Sequence, residues 1–128
     1  MSEQEAAGQA IAVVLNRDLM FGSRIRSALT SLGLGAQFAR DTEQFIQLLE
    51  TTEPAPVIGI IDMNGAVAWD DLRQALARLD GRVPTLGFGS HVDVETRRAA
   101  KTAGVRRIVS NSEFHRDMPT LIARYRSD

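Results

Sequence analysis

Pro56-Val57-Ile58-Gly59-Ile60-Ile61-Asp62 is a continuous apolar run, rich in β-branched residues, that ends on an acid near the middle of a 128-residue chain. A run without polar alternation reads as a strand buried on both faces, the pattern of a parallel sheet covered by helices. In open sheets of that kind, ligands and chemistry lie just beyond the carboxyl ends of the strands. Position alone therefore puts the Asp62 carboxylate at the mouth of a crevice.

Working outward, strand and helix signals alternate. Ile11-Ala12-Val13-Val14-Leu15 reads as a first strand, broken at Asn16-Arg17-Asp18. From Leu19 to Leu32 the residues Met20, Ile25, Ala28, Leu29 and Leu32 recur at helical spacing, and Gly33 supplies the stop. Ala36–Ala39 reads as a short strand. Asp41 and Gln44 resemble a capping box for a second helix running to Glu50. Pro54 and Pro56 bound the strand ending in Asp62. A loop containing Trp69 leads to a third helix marked by Leu72, Ala75, Leu76 and Leu79 and closed by Asp80-Gly81. Val83–Phe88 is a fourth strand, Val94–Ala103 a helix stopped by Gly104, and Val105–Val109 a fifth strand. Asp117 with Met118-Pro119 opens a last short helix carrying Leu121, Ile122 and Tyr125.

Alternation with short connections predicts an α/β fold with right-handed crossovers and helices on both faces. The expected architecture is a doubly wound, five-stranded parallel sheet in the order 2-1-3-4-5, a flavodoxin-like sandwich. That order brings the ends of strands one and three together, so Asn16, Arg17, Asp18 and Asp62 should meet.

Composition bounds the function classes. With 44% hydrophobic residues the chain can bury one core, expected over residues 10–126, after a polar tail of residues 1–9 that has no apolar segment. The absence of cysteine excludes disulfides, thiolate metal sites and cysteine nucleophiles. No apolar run approaches the roughly 20 residues of a membrane span, and no secretory signal is present, so a cytoplasmic protein is expected.

Catalytic motifs are missing. The turn Leu15-Asn16-Arg17-Asp18 holds no glycine, which removes the dinucleotide and phosphate-loop fingerprints. No Gly-x-Ser-x-Gly elbow supports a set built from Ser90, His91 and Asp62. His91, after the fourth strand, and His115, at the end of the fifth, do not form a metal-ligand pattern. Asn64 stands where a phosphatase built on Asp62 would need a second acid. Gly87-Phe88-Gly89 reads as a buried strand needing small residues where neighbours approach closely. The chain is therefore expected not to be an enzyme.

The element order, the aspartate ending strand three, and the stretches Ala28-Leu29-Thr30-Ser31-Leu32-Gly33, Val83-Pro84-Thr85-Leu86 and Thr102-Ala103-Gly104-Val105 resemble the receiver domain of two-component response regulators. The resemblance covers residues 10–126. It implies an acidic pair holding a divalent cation at Asn16 and Arg17, a phosphoacceptor at Asp62, a hydroxyl at Gly89, a lysine at Asn111 and an aromatic switch at Ile108. Of these parts only Asp62 is of the expected type. Mg²⁺ prefers hard oxygen ligands including carboxylates, whereas Arg17 would bring a cation to its place. The resemblance thus implies a degenerate pseudo-receiver without cofactor, acting by protein–protein contact.

Two alternatives stay open at this level. Asp18 and Ser90, each one place beyond the family positions, would restore an atypical site in which Mg²⁺ on Asp18, Asp62 and Asn64 supports phosphorylation of Asp62. Arg17 either forms a built-in ion pair with Asp62 or turns to solvent. An anion pocket lined by Arg17 and Asn111 is a further possibility.

Cationic residues crowd the C-terminal third: Arg97, Arg98, Lys101, Arg106, Arg107, Arg116, Arg124 and Arg126. By resemblance, the face built from helix four, strand five and helix five, including Ile108, would dock a kinase, an effector protein or a second copy of the chain. Nucleic acid is not expected, since stacking aromatics and a recognition helix are lacking.

Overall fold

The computed structural model describes residues 9–90 and 93–128. Ten elements alternate: β1 Ile11–Leu15, α1 Leu19–Ser31, β2 Gly35–Ala39, α2 Thr42–Thr51, β3 Ile58–Asp62, α3 Trp69–Leu79, β4 Thr85–Gly89, α4 Val94–Ala103, β5 Arg107–Ser110 and α5 Asn111–Tyr125. The sheet is parallel throughout, in the order β2-β1-β3-β4-β5. This is the predicted doubly wound topology, with β1 and β3 side by side.

Successive strand residues point to opposite faces, and the core divides accordingly. Ala12, Val14, Ile58, Ile60, Leu86, Phe88 and Val109 pack against α1 and α5. Val13, Leu15, Ile61 and Ile108 pack against α2, α3 and α4. Ile58, Ile60 and Ile61 are fully buried, each contributing about 1.5–3 kcal/mol of transfer free energy. Gly59 interrupts this run for a packing reason: a Cβ there would lie 3.2 Å from Phe45 and 3.3 Å from Leu49 of α2. On the other face Phe88 and Phe114 stack with ring centres 4.1 Å apart, and Phe21 of α1 extends the stack.

Local signals end the helices where the sequence places them. Asp18 caps α1 by accepting from Met20 N at 2.9 Å and Phe21 N at 3.2 Å. Asp41 caps α2 by accepting from Gln44 N at 2.8 Å, but the Gln44 amide oxygen accepts from Arg40 N instead of completing the box on Asp41. Gly33 and Gly104 sit at φ 76° and 103°, the left-handed conformation that ends α1 and α4.

Four expectations are corrected. The last helix begins at Asn111, capped by the Ser110 hydroxyl accepting from Glu113 N at 3.1 Å, and only bends at Asp117 before Pro119. The Asp-Met-Pro signal is thus the restart of a kinked helix, and His115 lies in its first half. β4 and β5 are each displaced toward the C-terminus, to Thr85–Gly89 and Arg107–Ser110. Trp69 is the first residue of α3, which lacks a side-chain cap and relies on Asp70 and Asp71 in its first turn. Among the described residues no helix is long and apolar enough to cross a membrane.

Candidate functional site

The carboxyl ends of β1, β3 and β5 converge on Asp62, the last residue of β3 and half-buried. Its Oδ1 accepts from the Asn64 backbone N at 2.9 Å and from Asn64 Nδ2 at 2.8 Å. Its Oδ2 accepts a long bond, 3.5 Å, from Asn16 Nδ2. Asn16 is buried, and its own Oδ1 accepts from Asp18 N at 2.7 Å, which fixes the amide so that its nitrogen faces Asp62. Asn64 Nδ2 also donates to Asn111 Oδ1, and Asn111 Nδ2 donates back to Asn64 Oδ1, both at 3.0 Å. The carboxylate thus sits in a neutral amide network that ties together the ends of three strands.

Arg17 does not pair with Asp62. Its Nε donates to the Arg40 carbonyl at 2.5 Å and its Nη2 to the Ala66 carbonyl at 3.1 Å. The guanidinium therefore spans from the β1–α1 turn to the β2–α2 and β3–α3 connections. A planar fork with several donors satisfies two carbonyls of different loops while the residue stays exposed, so the ion-pair expectation fails and the solvent exposure of the alternative is found, with the side chain tethered along the surface. Arg17 and Asp62 line a shared cavity of about 30 Å³, with Asn16, Gly65 and Ala66. That is room for about one water and not for a larger anion, and Asn111 is not part of its wall.

The other expected positions fall as follows. Asp18 spends its carboxylate on the α1 cap. Gly89 closes β4, and a Cβ there would stand 3.1 Å from Met63 Cβ, so the position is spatially committed. Gly87 is tighter still, its virtual Cβ 2.6 Å from Met63 Sδ, in keeping with the reading of Gly87-Phe88-Gly89 as a closely approached strand. Ser90 is exposed, and His91 lies outside the described residues.

The donor set can be tested against the divalent cation that the fold suggests. One carboxylate, Asp62, faces the crevice, its nearest companions are amides, and Arg17 is bound across the adjoining loops. Among the described residues no cluster of three or more histidine or acidic ligands exists. Mg²⁺ recruits one or two carboxylates with near-octahedral geometry, and this set is a poor match.

Sequence reasoning missed Gly65, Ala66 and Arg40. A Cβ at Gly65 would lie 2.8 Å from Arg17 Nη1, so glycine there makes room for the guanidinium. The Asn64-Gly65 dipeptide was the available signal. The carbonyls of Ala66 and Arg40 left none, because acceptance by a main-chain oxygen does not depend on the side chain.

On the C-terminal face, Arg98, Lys101, Arg106 and Arg107 are exposed and Arg97 is half-buried. Ile108 is corrected: only 8% exposed, it packs into the core beneath α4, because β5 turns Ile108 inward and Arg107 outward. Arg107 lies over the Tyr125 ring, 6.0 Å from its centre. Among the described residues the ion pairs are Arg73–Asp70, Arg78–Glu50 and Arg116–Asp117, so this basic group has no carboxylate partner there.

No family model matches the sequence, and no curated protein matches it. Solved structures do match. The chemotaxis protein CheY4 of Vibrio cholerae superposes with a TM-score of 0.75 at 12% identity, covering 92% of this chain and 99% of that one. A response regulator receiver protein from Pseudomonas putida gives 0.74 at 17% identity over 92% and 98% of the two chains. The CheY-like protein TadZ of Pseudomonas aeruginosa gives 0.68 at 20% identity over 91% and 98%. With the strand order, the crossovers and Asp62 at the end of β3, these likenesses show that the chain has the fold of the CheY-like receiver domains of response regulators.

Proposed function

We propose that this domain is a pseudo-receiver signalling module that acts by binding a protein partner, without phosphorylation of Asp62, without a divalent cation and without enzymatic activity. The observation that supports this reading is the engagement of Asp62 by the amides of Asn16 and Asn64, with Asn64 locked in turn to Asn111. A carboxylate already satisfied by neutral donors gains little from a cation, and the residues that would bring one are committed elsewhere. The competing reading, phosphorylation of Asp62 on a cation held by Asp18 and Asn64, is disfavoured because Asp18 caps α1 and Asn64 presents its amide nitrogen to Asp62.

The partner surface in this reading is the basic group Arg98, Lys101, Arg106 and Arg107, without Ile108. Its chemistry suits an acidic kinase or effector protein, and self-association through the same face would require the cations to be offset by Glu95 or Glu113. The test is a two-dimensional amide NMR titration with Mg²⁺ followed by beryllofluoride, a mimic of the phosphoryl group. No saturable shift around Asp62 is expected in the folded domain. Saturable shifts that require Mg²⁺ would overturn the proposal.

A further inference from the structure

One roomy groove on the described surface adjoins the Asp62 crevice through Asn16 and Arg17 and shares no residue with the basic C-terminal face. It runs between the first turns of α1 and the β2–α2 connection, with a volume of about 870 Å³. Phe38 and Gly22 form its apolar lining, Leu19 its rim, and Arg26 and Arg40 its charged walls. Leu19 is 87% exposed, more than any other large apolar residue among those described. Single exposed apolar side chains are ordinary, but Leu19 at the edge of an arginine-walled groove that also holds Phe38 gives the groove both apolar surface and charge.

We propose that this groove is a docking site for an acidic, amphipathic segment of a partner protein, one that sets a large apolar side chain against Leu19 and Phe38 and its carboxylates against Arg26 and Arg40. Charge complementarity carries the assignment. Arg26 stacks over the Phe38 ring at 4.7 Å and has no ion pair among the described residues, and neither has Arg40. The acids of the groove, Asp18 and Asp41, are turned onto the helix starts of α1 and α2, where backbone N–H groups and the positive helix ends offset their charge. Arg17 closes the inner end and holds the Arg40 backbone in place, so the wall is preformed. The groove therefore presents guanidiniums around an apolar floor, the arrangement that receives an anchor residue flanked by acids.

The alternative site for such a partner, the α3–α4 groove beside Trp69, is less suited. Its Arg73 is already neutralised by Asp70 at 2.7 Å, and Glu95 lies on the same wall as Arg98.

The experiment uses the full chain, ¹⁵N-labelled, with a fluorescein-labelled peptide of alternating Glu and Leu residues as the probe and its Lys/Leu counterpart as control. Saturable anisotropy with amide shifts confined to Leu19, Gly22, Phe38 and Arg40 is expected. Arg26→Glu with Arg40→Glu should weaken the affinity about tenfold or more, since loss of two desolvated charge pairs exceeds one decade. Leu19→Ser should weaken it separately, while Arg116→Glu with Arg124→Glu on α5, exposed and outside both proposed surfaces, should leave it unchanged. These are surface positions, and retained amide dispersion reports that each variant folds. Absence of saturable shifts in the groove, equal binding of the Lys/Leu peptide, or equal loss in both charge-reversal pairs would overturn the assignment.

Discussion

The side chains of Asn64 and Asn111 pair head to head across the end of the sheet, each carboxamide donating a 3.0 Å hydrogen bond to the other. The pair joins the loop after β3 to the first turn of α5, where the receiver pattern would place a lysine. A neutral amide there holds Asn64, and Asn64 holds Asp62. In a double-mutant cycle of Asn64→Ala and Asn111→Ala, urea unfolding should return a coupling of about 0.5–1.5 kcal/mol. Additive effects would mean that the two amides do not act as a unit.

Rebuilding the acidic pair should create what the native sequence lacks. In Asn16→Asp with Arg17→Asp, three carboxylates would face one another and the Arg17 tether to Arg40 and Ala66 would be gone. The variant should be less stable than the native domain without metal, through like-charge repulsion, and should recover stability when Mg²⁺ is added. Thermal melts with and without Mg²⁺ check this. A variant indifferent to Mg²⁺ would show that more than the acids is missing.

His115 should make stability depend on pH. Its ring packs on Phe21 with centres 4.0 Å apart and its Nδ1 is buried without a hydrogen-bond partner. Burial, with the Arg24 charge adding to it, holds its pKa below the ordinary value. The folded state therefore binds the proton less readily than the unfolded chain. Its contribution is fully present above the ordinary histidine value of about 6.5 and is lost as pH falls below it toward the folded value. Urea midpoints at about pH 7.5 and about pH 5.5 should differ in the native domain and differ less in His115→Phe. An unchanged difference would locate the titration elsewhere.

Gly59→Ala should destabilise by about 1–3 kcal/mol, because its Cβ enters the space of Phe45 and Leu49, both almost fully buried. Calorimetry or urea unfolding measures it. A neutral result would mean that α2 can retreat from β3.

Much of this structure is legible in the sequence, and the limits have physical causes. The buried run into Asp62 identifies a parallel sheet because only a strand covered on both faces is uniformly apolar. The cap at Asp41 and the stops at Gly33 and Gly104 follow from local chemistry, whereas Asp18, read as a candidate metal ligand, caps α1. The start of α5 was misread because Pro119 is the stronger local signal, whereas the true cap, Ser110, lies at a strand end. Ile108 was placed on the docking face by resemblance to the receiver pattern, whereas its aliphatic side chain packs into the core beneath α4. Within the site, the topology placed Asn16, Arg17, Asp18 and Asp62 together, and the receiver resemblance added Asn111. The partners of Arg17 were not legible, since they are main-chain carbonyls on loops distant in sequence.

The central claim is that Asp62 is not a phosphoacceptor. Its most direct test is intact-mass spectrometry of the purified domain after incubation with acetyl phosphate and Mg²⁺, beside an Asp62→Asn control. The account predicts an unmodified mass in both. Addition of one phosphoryl group to the native domain, absent from the Asp62→Asn variant, would contradict it.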